Sequence, residues 1–455
     1  MKRSVLLVTA CLSAAASLSA ALPVLEVIKP EPPVPVAPPA PAVPDVLDLN
    51  NALIFALDNN FSIRQARERL RQQEGLIIEV RAQALPDVSL EAGYSRKDKE
   101  FSPTAYQDWR VGVYVRQLVY SGGGVRAALD AAQTTRQAAV LDIEAVIRNV
   151  LLAVRTRFAD VLLNRQRITV QEQSVALLGE QLQTVKNRFE AGSVSQFEVL
   201  TAEVALANAQ PALITARNAY RVAIDELRAV LGYQNPFGDN LAKVPNFKGE
   251  LTFTPAAYEL EAALAAAKAR RPELQRLAQL ERARESGLTV AKADYLPTVS
   301  VTAGYEGLKS RISNSFSDTE DGWTTGVSAS WAIFDGARTK GRVAQARSQL
   351  SQARLSVAEQ TLAIEVEVRR ALSSLQEAAE LAGAATKVVG QAEEALRLAD
   401  VRYRNGAATQ LDVLQARQAL TEASLNRLEA NYRHTIALAT LRKAIAEGDL
   451  VETAP

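Results

Sequence analysis

The sequence predicts a mixed α/β protein that is mostly α-helical and is built as a tandem internal repeat. Three observations support this prediction. Sequence motifs recur at a nearly constant offset, four short segments alternate apolar and polar residues, and two much longer stretches have helical patterning without proline. Alternation with a period of two is typical of a strand with two unlike faces, whereas apolar spacings of three and four are typical of a helix. We therefore expect four strands per chain and unusually long helices.

Composition excludes several classes of function. The 455 residues include 52 basic and 51 acidic side chains, so the chain has no general positive field for nucleic acid. One cysteine and one histidine are too few for a zinc site, an iron–sulfur cluster or a disulfide framework. The sequence also lacks a Gly-x-Ser-x-Gly motif and a phosphate-binding loop. We therefore expect a protein that is not an enzyme and that uses no cofactor or metal.

The N-terminus has the order of a secretory signal peptide. Lys2 and Arg3 precede an apolar stretch and then a run of small residues, so we assign residues 1–21 to a signal that is removed on export. Cys11 follows a loose lipoprotein cleavage box, and the sequence leaves open whether it is lipidated. Residues 22–45 form a proline-rich leader with nine of the eighteen prolines, an extended tether whose role also stays open.

The body of the chain consists of two similar sequence repeats. Leu85-Pro86 recurs as Leu296-Pro297, an offset of 211, and after a loop that is three residues longer in the second copy the offset becomes 214. A constant offset over so much of the chain indicates a tandem duplication. Pairs at the second offset include Trp109 and Trp323, Arg188 and Arg402, Gly192 and Gly406, and Leu227 and Leu441. The first repeat spans 46–250, the second spans 251–447, and a tail covers 448–455.

Each repeat begins with a helix and continues with a β-hairpin. The helices are predicted over 50–83 and 256–293, where good helix formers predominate. Pro86 and Pro297 end them because proline lacks a backbone donor and disfavours helix in the residue before it. The hairpins are predicted at 86–120 and 297–334, with polar loops at 96–108 and 306–322. The apolar face of the last strand contains Val327, Ala329, Trp331 and Ile333.

Two long helices follow the hairpins, over 123–190 and 337–404. Each is about 100 Å long at ~1.5 Å per residue, and its narrow apolar stripe is typical of coiled-coil packing. Left-handed turns at Gly192 and Gly406 end the long helices. Return helices are predicted at 196–231 and 410–446.

Four short amphipathic strands cannot seal themselves in a membrane. The smallest known transmembrane barrels have about eight strands, and an open edge in lipid costs several kcal/mol for each unpaired backbone group. Two chains supply eight strands around a filled lumen, whereas three chains supply twelve around an open pore. We therefore expect the strands to close with those of other copies of the chain.

Two pairs of motifs are the most specific signals in the sequence. The strand-to-helix corners are Tyr120-Ser121-Gly122-Gly123 and Phe334-Asp335-Gly336, and the helix tips are RFEAGSVSQFEVL (188–200) and RYRNGAATQLDVL (402–414). With these motifs the sequence resembles the TolC family of outer-membrane efflux and secretion ducts, over nearly all of residues 46–447. The resemblance implies a homotrimer in the outer-membrane lipid, with a 12-stranded β-barrel, a coiled-coil α-helical barrel in the periplasm and an iris-like inner end. It also implies a passive exit duct for a tripartite efflux or type I secretion system. Its partners are then a periplasmic adaptor protein and an inner-membrane pump, proton-driven or of the ABC type.

The resemblance also assigns a gate at the periplasmic helix tips. Asp412 occupies the position of an acidic residue that lines the closed aperture, so a trimer has a ring of three carboxylates. Such a ring attracts cations, and like-charge repulsion is expected to raise its pKa. Gln415 occupies the position at which some members have a second acidic residue, so we expect only one ring of carboxylates. Glu198 and Tyr403 match an acid and a tyrosine that tie the helix pairs together, whereas Ala408 replaces the arginine of another tie. We therefore expect a weakly held gate.

The tips themselves are the expected docking surface for the adaptor. The residues concerned are Gly192, Ser193, Val194, Gly406, Ala407 and Ala408. At the strands, Tyr94, Trp109, Tyr305 and Trp323 are candidates for an interfacial aromatic girdle.

One alternative has a different consequence for function. A periplasmic coiled-coil adaptor or scaffold without a pore also contains long helical hairpins, although adaptors usually have one such hairpin between strand-rich domains. The sequence leaves open the cargo, which could be drugs, metals or a secreted protein, and the class of the pump.

Overall fold

The structure, a computed structural model, describes residues 45–98, 100, 106–233, 245–310 and 315–447. The expected signal peptide, the leader before residue 45 and the tail at 448–455 lie outside these residues. All described residues belong to one unit of the chain, Val43–Pro455.

The same order of elements occurs twice along the described chain. The first set is β1 (Val46–Leu47), α1 (Leu49–Asn59), α2 (Phe61–Ala82), β2 (Asp87–Arg96), β3 (Gln107–Ser121), α3 (Gly124–Glu190) and α4 (Gln196–Leu231). The second set is β4 (Asn246–Phe247), α5 (Leu260–Arg270), α6 (Pro272–Ala293), β5 (Thr298–Lys309), β6 (Thr319–Ser330), α7 (Arg338–Arg404) and α8 (Gln410–Ala444). The two short strands β1 and β4 pair in parallel.

The prediction of a single helix before each hairpin is wrong, because two helices occupy each of these segments. Asn60 separates α1 from α2, and its side-chain oxygen accepts hydrogen bonds from the backbone of Ser62 and Ile63, capping α2. Arg271 separates α5 from α6, where the following Pro272 disfavours helix in the residue before it. The second segment also begins at Leu260 and not at residue 256.

The helix ends differ from the prediction by a few residues. The return helix α8 ends at Ala444, two residues early, because Ala446 has a left-handed backbone with φ of 50°. The long helix α7 follows two left-handed residues, Gly336 and Ala337, and Asp335 accepts hydrogen bonds from the backbone and hydroxyl of Thr339 at 2.8 and 2.6 Å. These contacts fix the corner at which a strand becomes a helix.

The four long strands form one antiparallel sheet in the order β2-β3-β5-β6. The strands reach further than the sequence pattern predicted, so the polar loops are shorter than 96–108 and 306–322: Leu308 still pairs with Glu320. At its other end β6 stops at Ser330, and Trp331 and Ile333 lie outside the strand. The Trp331 indole instead donates to the carbonyl oxygen of Tyr295 at 3.1 Å.

The sheet has one apolar face, which is largely exposed, although Phe316 in the loop between β5 and β6 contacts Tyr94 and Trp109 at its end. Leu90 on β2 and Val327 on β6 are each 73% exposed. The other face is polar, and on it the Tyr114 hydroxyl donates to Glu306 at 2.5 Å. Cross-strand register places the following apolar residues on the exposed face: Val88, Leu90, Tyr94, Val111, Val113, Val115, Val301, Tyr305, Trp323 and Val327.

The core lies where the short helices pack against the long ones. Helix α3 packs along α4, α7 packs along α8, and a contact between α3 and α8 joins the two pairs. The larger cluster surrounds α1 and includes Leu53, Ile63, Val154, Val161 and Leu227, all 1% exposed or less. A second cluster surrounds α5 and includes Ala267, Ile364, Val368, Leu375 and Leu441.

Two long helices have apolar side chains that nothing in the described chain covers. On α4, Phe197, Val204 and Ile214 are 76, 58 and 66% exposed, and on α7 Leu355 and Leu362 are 66 and 62% exposed. By length and composition alone, α4 is also the one described helix that could span a membrane, with 11% of its most apolar window buried. The apolar character of α4 therefore lies largely on its surface.

Candidate functional site at the helix tips

Each long helix ends in the same hydrogen-bonded turn. After α3, Gly192 has φ of 74°, its amide donates to Phe189, and the Ser193 amide donates to Arg188. After α7, Gly406 has φ of 72° and repeats both bonds with Tyr403 and Arg402. This is the Schellman arrangement, in which a left-handed residue satisfies the last carbonyls of a helix and glycine has no Cβ to clash. The two tip glycines are therefore required by the turn itself.

The predicted docking residues lie at the surface of these turns. Gly192, Ser193, Gly406 and Ala407 are exposed, whereas Val194 and Ala408 are half-buried. The first turn of each return helix also exposes an apolar side chain: Phe197 is 76% exposed and Leu411 is 57% exposed. The tips therefore present small residues beside two apolar side chains at equivalent positions of the two repeats.

Asp412 caps the helix on which it lies. Its carboxylate accepts hydrogen bonds from the Thr409 amide at 2.7 Å and the Thr409 hydroxyl at 2.8 Å, which together with the bond from the Asp412 amide make a capping box. These bonds, first from the Thr409 backbone and then from its hydroxyl, and the charge of Arg402 hold the pKa of Asp412 below its usual value. Within one chain the environment therefore opposes the rise that we expected from a ring of carboxylates.

The predicted tie between Glu198 and Tyr403 is absent within the chain. The Tyr403 hydroxyl is buried and no described residue forms a hydrogen bond with it. The guanidinium of Arg188 instead lies over the Tyr403 ring, 4.8 Å from its centroid. Within the chain the prediction is wrong because Tyr403 contacts α3 through its ring face, and its hydroxyl does not reach the carboxylate.

Other side chains join the two helix pairs near the tips. Gln410, 5% exposed, donates to the backbone carbonyl of Glu198 at 3.2 Å, and Arg417 donates to the carbonyl of Leu177 at 2.8 Å. Sequence reasoning missed both, although a glutamine at the first position of α8 on its apolar side was a usable signal. Gln415 is exposed on the next turn of α8.

The region near the tips contains several buried polar atoms that form no hydrogen bond with any described residue. They are Nε2 of Gln181, Oη of Tyr403, Oε1 of Gln410 and Nε of Arg417. A buried polar atom that forms no hydrogen bond costs about 1–3 kcal/mol. The helices are therefore packed here at a cost that a rearrangement could relieve.

We expect Tyr403→Phe to leave the closed-state conductance unchanged, because the lost hydroxyl forms no hydrogen bond in the chain. Removing it also relieves a desolvation cost of up to about 1–3 kcal/mol, so the thermal midpoint should not fall. Tyr403→Ala is the control, because it removes the ring over which Arg188 lies and should lower the midpoint. Single-channel recording with thermal unfolding tests both variants. A higher conductance for Tyr403→Phe would mean that the hydroxyl has a partner in the assembled protein.

The described residues contain no group of three or more His, Cys, Asp or Glu side chains that could hold a metal ion. The tips consist of turns, capped helices and exposed apolar side chains.

Comparison with solved structures identifies the fold. The outer membrane channel CmeC of Campylobacter jejuni has a TM-score of 0.76 to this chain at 17% identity, covering 87% of this chain and 85% of CmeC. The described fold is therefore that of an outer-membrane channel.

The chain belongs to the outer membrane efflux protein family, which matches residues 55–233 and 263–447. Outer membrane efflux protein BepC of Brucella suis is 25% identical over 410 residues, which cover 87% of this chain and 84% of BepC. Cobalt-zinc-cadmium resistance protein CzcC of Cupriavidus metallidurans is 26% identical over 396 residues, which cover 84% and 86%. The protein is thus an outer-membrane channel protein of the TolC type with its helices in the periplasm.

Proposed function

We propose that three copies of the chain assemble into an exit duct whose twelve strands form one barrel through the outer membrane. The observation that supports this best is the sheet itself, which has one exposed apolar face and two unpaired edge strands, β2 and β6, in the described chain. Backbone groups at an open edge cannot remain unpaired in lipid. Pairing of β6 of one copy with β2 of the next leaves no unpaired strand edge. Three four-stranded sheets then form a 12-stranded barrel, which is wide enough to enclose an open pore.

The periplasmic helices form a closed ring in the same way, by contacts between neighbouring copies. Helices α4 and α7 each contact other helices of the chain and expose apolar residues elsewhere. Apposition of α4 of one copy with α7 of the next buries Ile214, Leu355 and their neighbours in coiled-coil contacts. A continuous helical tunnel below the barrel follows from that packing.

The barrel arrangement predicts opposite outcomes for neighbouring residues of β2. Leu90→Arg places a charge on the apolar face, which costs about 2–4 kcal/mol at the middle of a bilayer, so heat-modifiable trimers in the outer-membrane fraction should decrease strongly. Glu91→Arg, one residue along on the polar face, should leave the trimer yield near that of the wild type. Equal yields from the two variants, or a detergent-free monomer of the wild type, would contradict the barrel.

We also propose that Asp412 forms the narrow carboxylate ring of the periplasmic gate. Within the chain the Thr409 hydrogen bonds lower the pKa of Asp412, which opposes the rise that like-charge repulsion would cause and favours a negatively charged, cation-preferring ring. The unpartnered atoms of Tyr403 and Gln410 support a gate whose helices can move apart, because an opened arrangement lets water reach them. Gln415 provides no second acidic ring.

Asp412→Asn is expected to reduce the preference for potassium over chloride in planar bilayers. An asparagine oxygen can still accept the Thr409 hydrogen bonds, so the helix cap is retained while the charge is removed. Asp412→Glu is the charge-retaining control. Reversal potentials under a salt gradient measure the effect, and an unchanged potential for Asp412→Asn would place the selectivity elsewhere.

The tips are the proposed contact for a periplasmic adaptor, which in turn connects the duct to an inner-membrane pump. The exposed turns at Ser193 and Ala407, flanked by Phe197 and Leu411, support this assignment. The alternative of a scaffold without a pore finds no support in a family of outer-membrane channels. The relatives' names point to more than one cargo, since BepC is an efflux protein and CzcC a cobalt-zinc-cadmium resistance protein. We therefore propose that the protein is a passive conduit and that the inner-membrane pump selects the cargo.

A further inference from the structure

A cavity of about 340 Å³ lies between the end of α6 and the first three turns of α7. Most of its side chains project from the surface, and Val343 forms its buried floor. The residues that line it are Lys292, Tyr295, Lys340, Val343, Ala344 and Arg347.

The three cations of this cavity have no anionic partner in the part of the chain that the structure describes. Among the described residues, no carboxylate oxygen lies within ion-pairing distance of the charged groups of Lys292, Lys340 or Arg347. The nearby carboxylates are already engaged: Asp294 pairs with Arg342 at 2.6 Å, and Asp335 accepts two hydrogen bonds from Thr339. The cavity therefore concentrates three uncompensated positive charges beside one phenol.

The position of the cavity relative to the sheet restricts what can fill it. Tyr295 lies two residues after the end of α6 and three residues before β5 begins, so the cavity lies where the sheet meets the periplasmic helices. Trp331, Ile333 and Phe334 follow β6 at the same end and are 59, 85 and 88% exposed. The hydrogen bond from Trp331 to the Tyr295 carbonyl connects this apolar rim to the cavity.

We propose that the cavity binds the phosphate group of a phospholipid from the inner leaflet of the outer membrane. The cations hold the phosphate, the phenol of Tyr295 donates to one of its oxygens, and the acyl chains lie along Trp331, Ile333 and Phe334. A cluster of basic side chains at the headgroup level with apolar side chains on the bilayer side fits an anionic lipid. The proposal depends on the outer-membrane location of the protein and not on the proposed gate.

The first half of the chain has no equivalent site. At the same offsets, Arg81 and Arg126 replace Lys292 and Lys340, but Gln133 replaces Arg347 and Asp130 replaces Ala344. The two cations and one carboxylate at these positions of the first repeat have a formal net charge of +1, whereas the residues that line the cavity in the second repeat have a net charge of +3. The site is thus a property of the second repeat, and the first repeat supplies a matched control.

The test uses Trp331 as a reporter of lipid contact in the full-length protein. Trp109→Phe and Trp323→Phe leave it as the only tryptophan, and the protein is reconstituted into phosphatidylcholine vesicles that contain brominated phosphatidylglycerol or, separately, brominated phosphatidylcholine. We expect phosphatidylglycerol to quench Trp331 more strongly at equal mole fraction. In a Lys292→Gln, Lys340→Gln, Arg347→Gln variant, the relative affinity for phosphatidylglycerol should fall by roughly fivefold for each cation removed.

Three further arms decide the assignment. Arg81→Gln with Arg126→Gln should retain the preference of Trp331 for phosphatidylglycerol, because that pair lies in the first repeat. Inorganic phosphate at constant ionic strength should not displace the lipid, and displacement would assign the cavity to free phosphate and overturn the phospholipid proposal. Equal quenching by the two brominated lipids, or a preference that survives in the triple variant, would also overturn it.

Discussion

Arg271→Met is expected to destabilise the protein by about 3–5 kcal/mol, the usual cost of removing one partner of a buried ion pair. The Arg271 side chain is 3% exposed and lies at the break between α5 and α6. It donates to Glu367 on α7 at 2.8 Å, to Glu273 on α6 at 3.0 Å and to the carbonyl of Ala444 at 3.2 Å. One guanidinium thus joins three helices of the second half.

The control for Arg271 is an exposed pair on the same helices. Lys268 on α5 pairs with Glu365 on α7 at 2.9 Å, with side chains 46 and 31% exposed. Lys268→Met should therefore cost only about 0–1 kcal/mol. Thermal unfolding of the purified protein in detergent, followed by helical circular dichroism, measures both variants. Equal losses for Arg271→Met and Lys268→Met would refute the special role of the buried arginine.

The same cluster predicts a pH dependence with a defined sign. Burial raises the pKa of Glu367, but the charges of Arg271 and Lys443 and hydrogen bonds from both outweigh it, so the pKa lies below its usual value. A carboxyl group whose pKa is lower in the folded state contributes stability above its unfolded pKa, about 4.3, and loses it as the pH falls through the folded value. Arg271→Met should weaken this acid sensitivity. Combining Arg271→Met with Glu273→Gln should restore part of the stability, because Arg271 is the one described cation that pairs with Glu273, whereas Glu367 keeps its ion pair with Lys443.

Local patterns in the sequence predicted the long elements well. Both long helices begin within one residue of the predicted positions and end where predicted, because proline, glycine and apolar spacing act over a few residues. The breaks at Asn60 and Arg271 were missed because both residues contact distant helices: the partners of Arg271 include Glu367 and Ala444, 96 and 173 residues away. Local periodicity contains no information about such partners.

At the tips, the motifs predicted which residues occupy the turns and the first helical positions, but not the contacts of those residues. Asp412 lies in the first turn of α8, as predicted, yet its main interaction is a capping box with Thr409. Tyr403 lies between the helix pairs, yet Arg188 contacts its ring and nothing described reaches its hydroxyl. A motif fixes which residue occupies a turn, whereas the rotamer depends on packing across the two helix pairs.

The two halves of the chain nevertheless form the same kind of contact between helices at equivalent positions. Asn60 and Arg271 correspond in the two repeats, and each occupies the break between two short helices. The Asn60 amide donates to the carbonyl of Val230 at 2.6 Å, as Arg271 does to Ala444, and these two acceptors also correspond. The parallel supports the interpretation of a duplicated unit. It also indicates that the end of each return helix is a structural anchor for the helices before the hairpin.

Gly232→Ala should disrupt that anchor in the first half. Gly232 ends α4 with φ of 81°, and a Cβ added there would lie 2.5 Å from the carbonyl oxygen of Asn59 and 3.0 Å from the Cα of Asn60. Both contacts are with backbone atoms, so no side chain can rotate away. The left-handed conformation costs alanine about 1–2 kcal/mol, and the overpacking adds roughly 1–3 kcal/mol. The hydrogen bond from Asn60 to Val230 should be lost with the displacement.

Gly123→Ala separates the two contributions. Gly123 has nearly the same backbone, with φ of 80°, but no heavy atom lies within 4 Å of an added Cβ. Alanine already occupies the equivalent left-handed positions of the second half, Ala337 and Ala446, which indicates that backbone strain alone is tolerated. We therefore expect Gly123→Ala to lower the thermal midpoint slightly and Gly232→Ala to lower it severely, with faster hydrogen exchange in α1 and α2. If the two variants lose equal stability, the cost lies in the backbone conformation, and the contact with Asn59 does not anchor the helices.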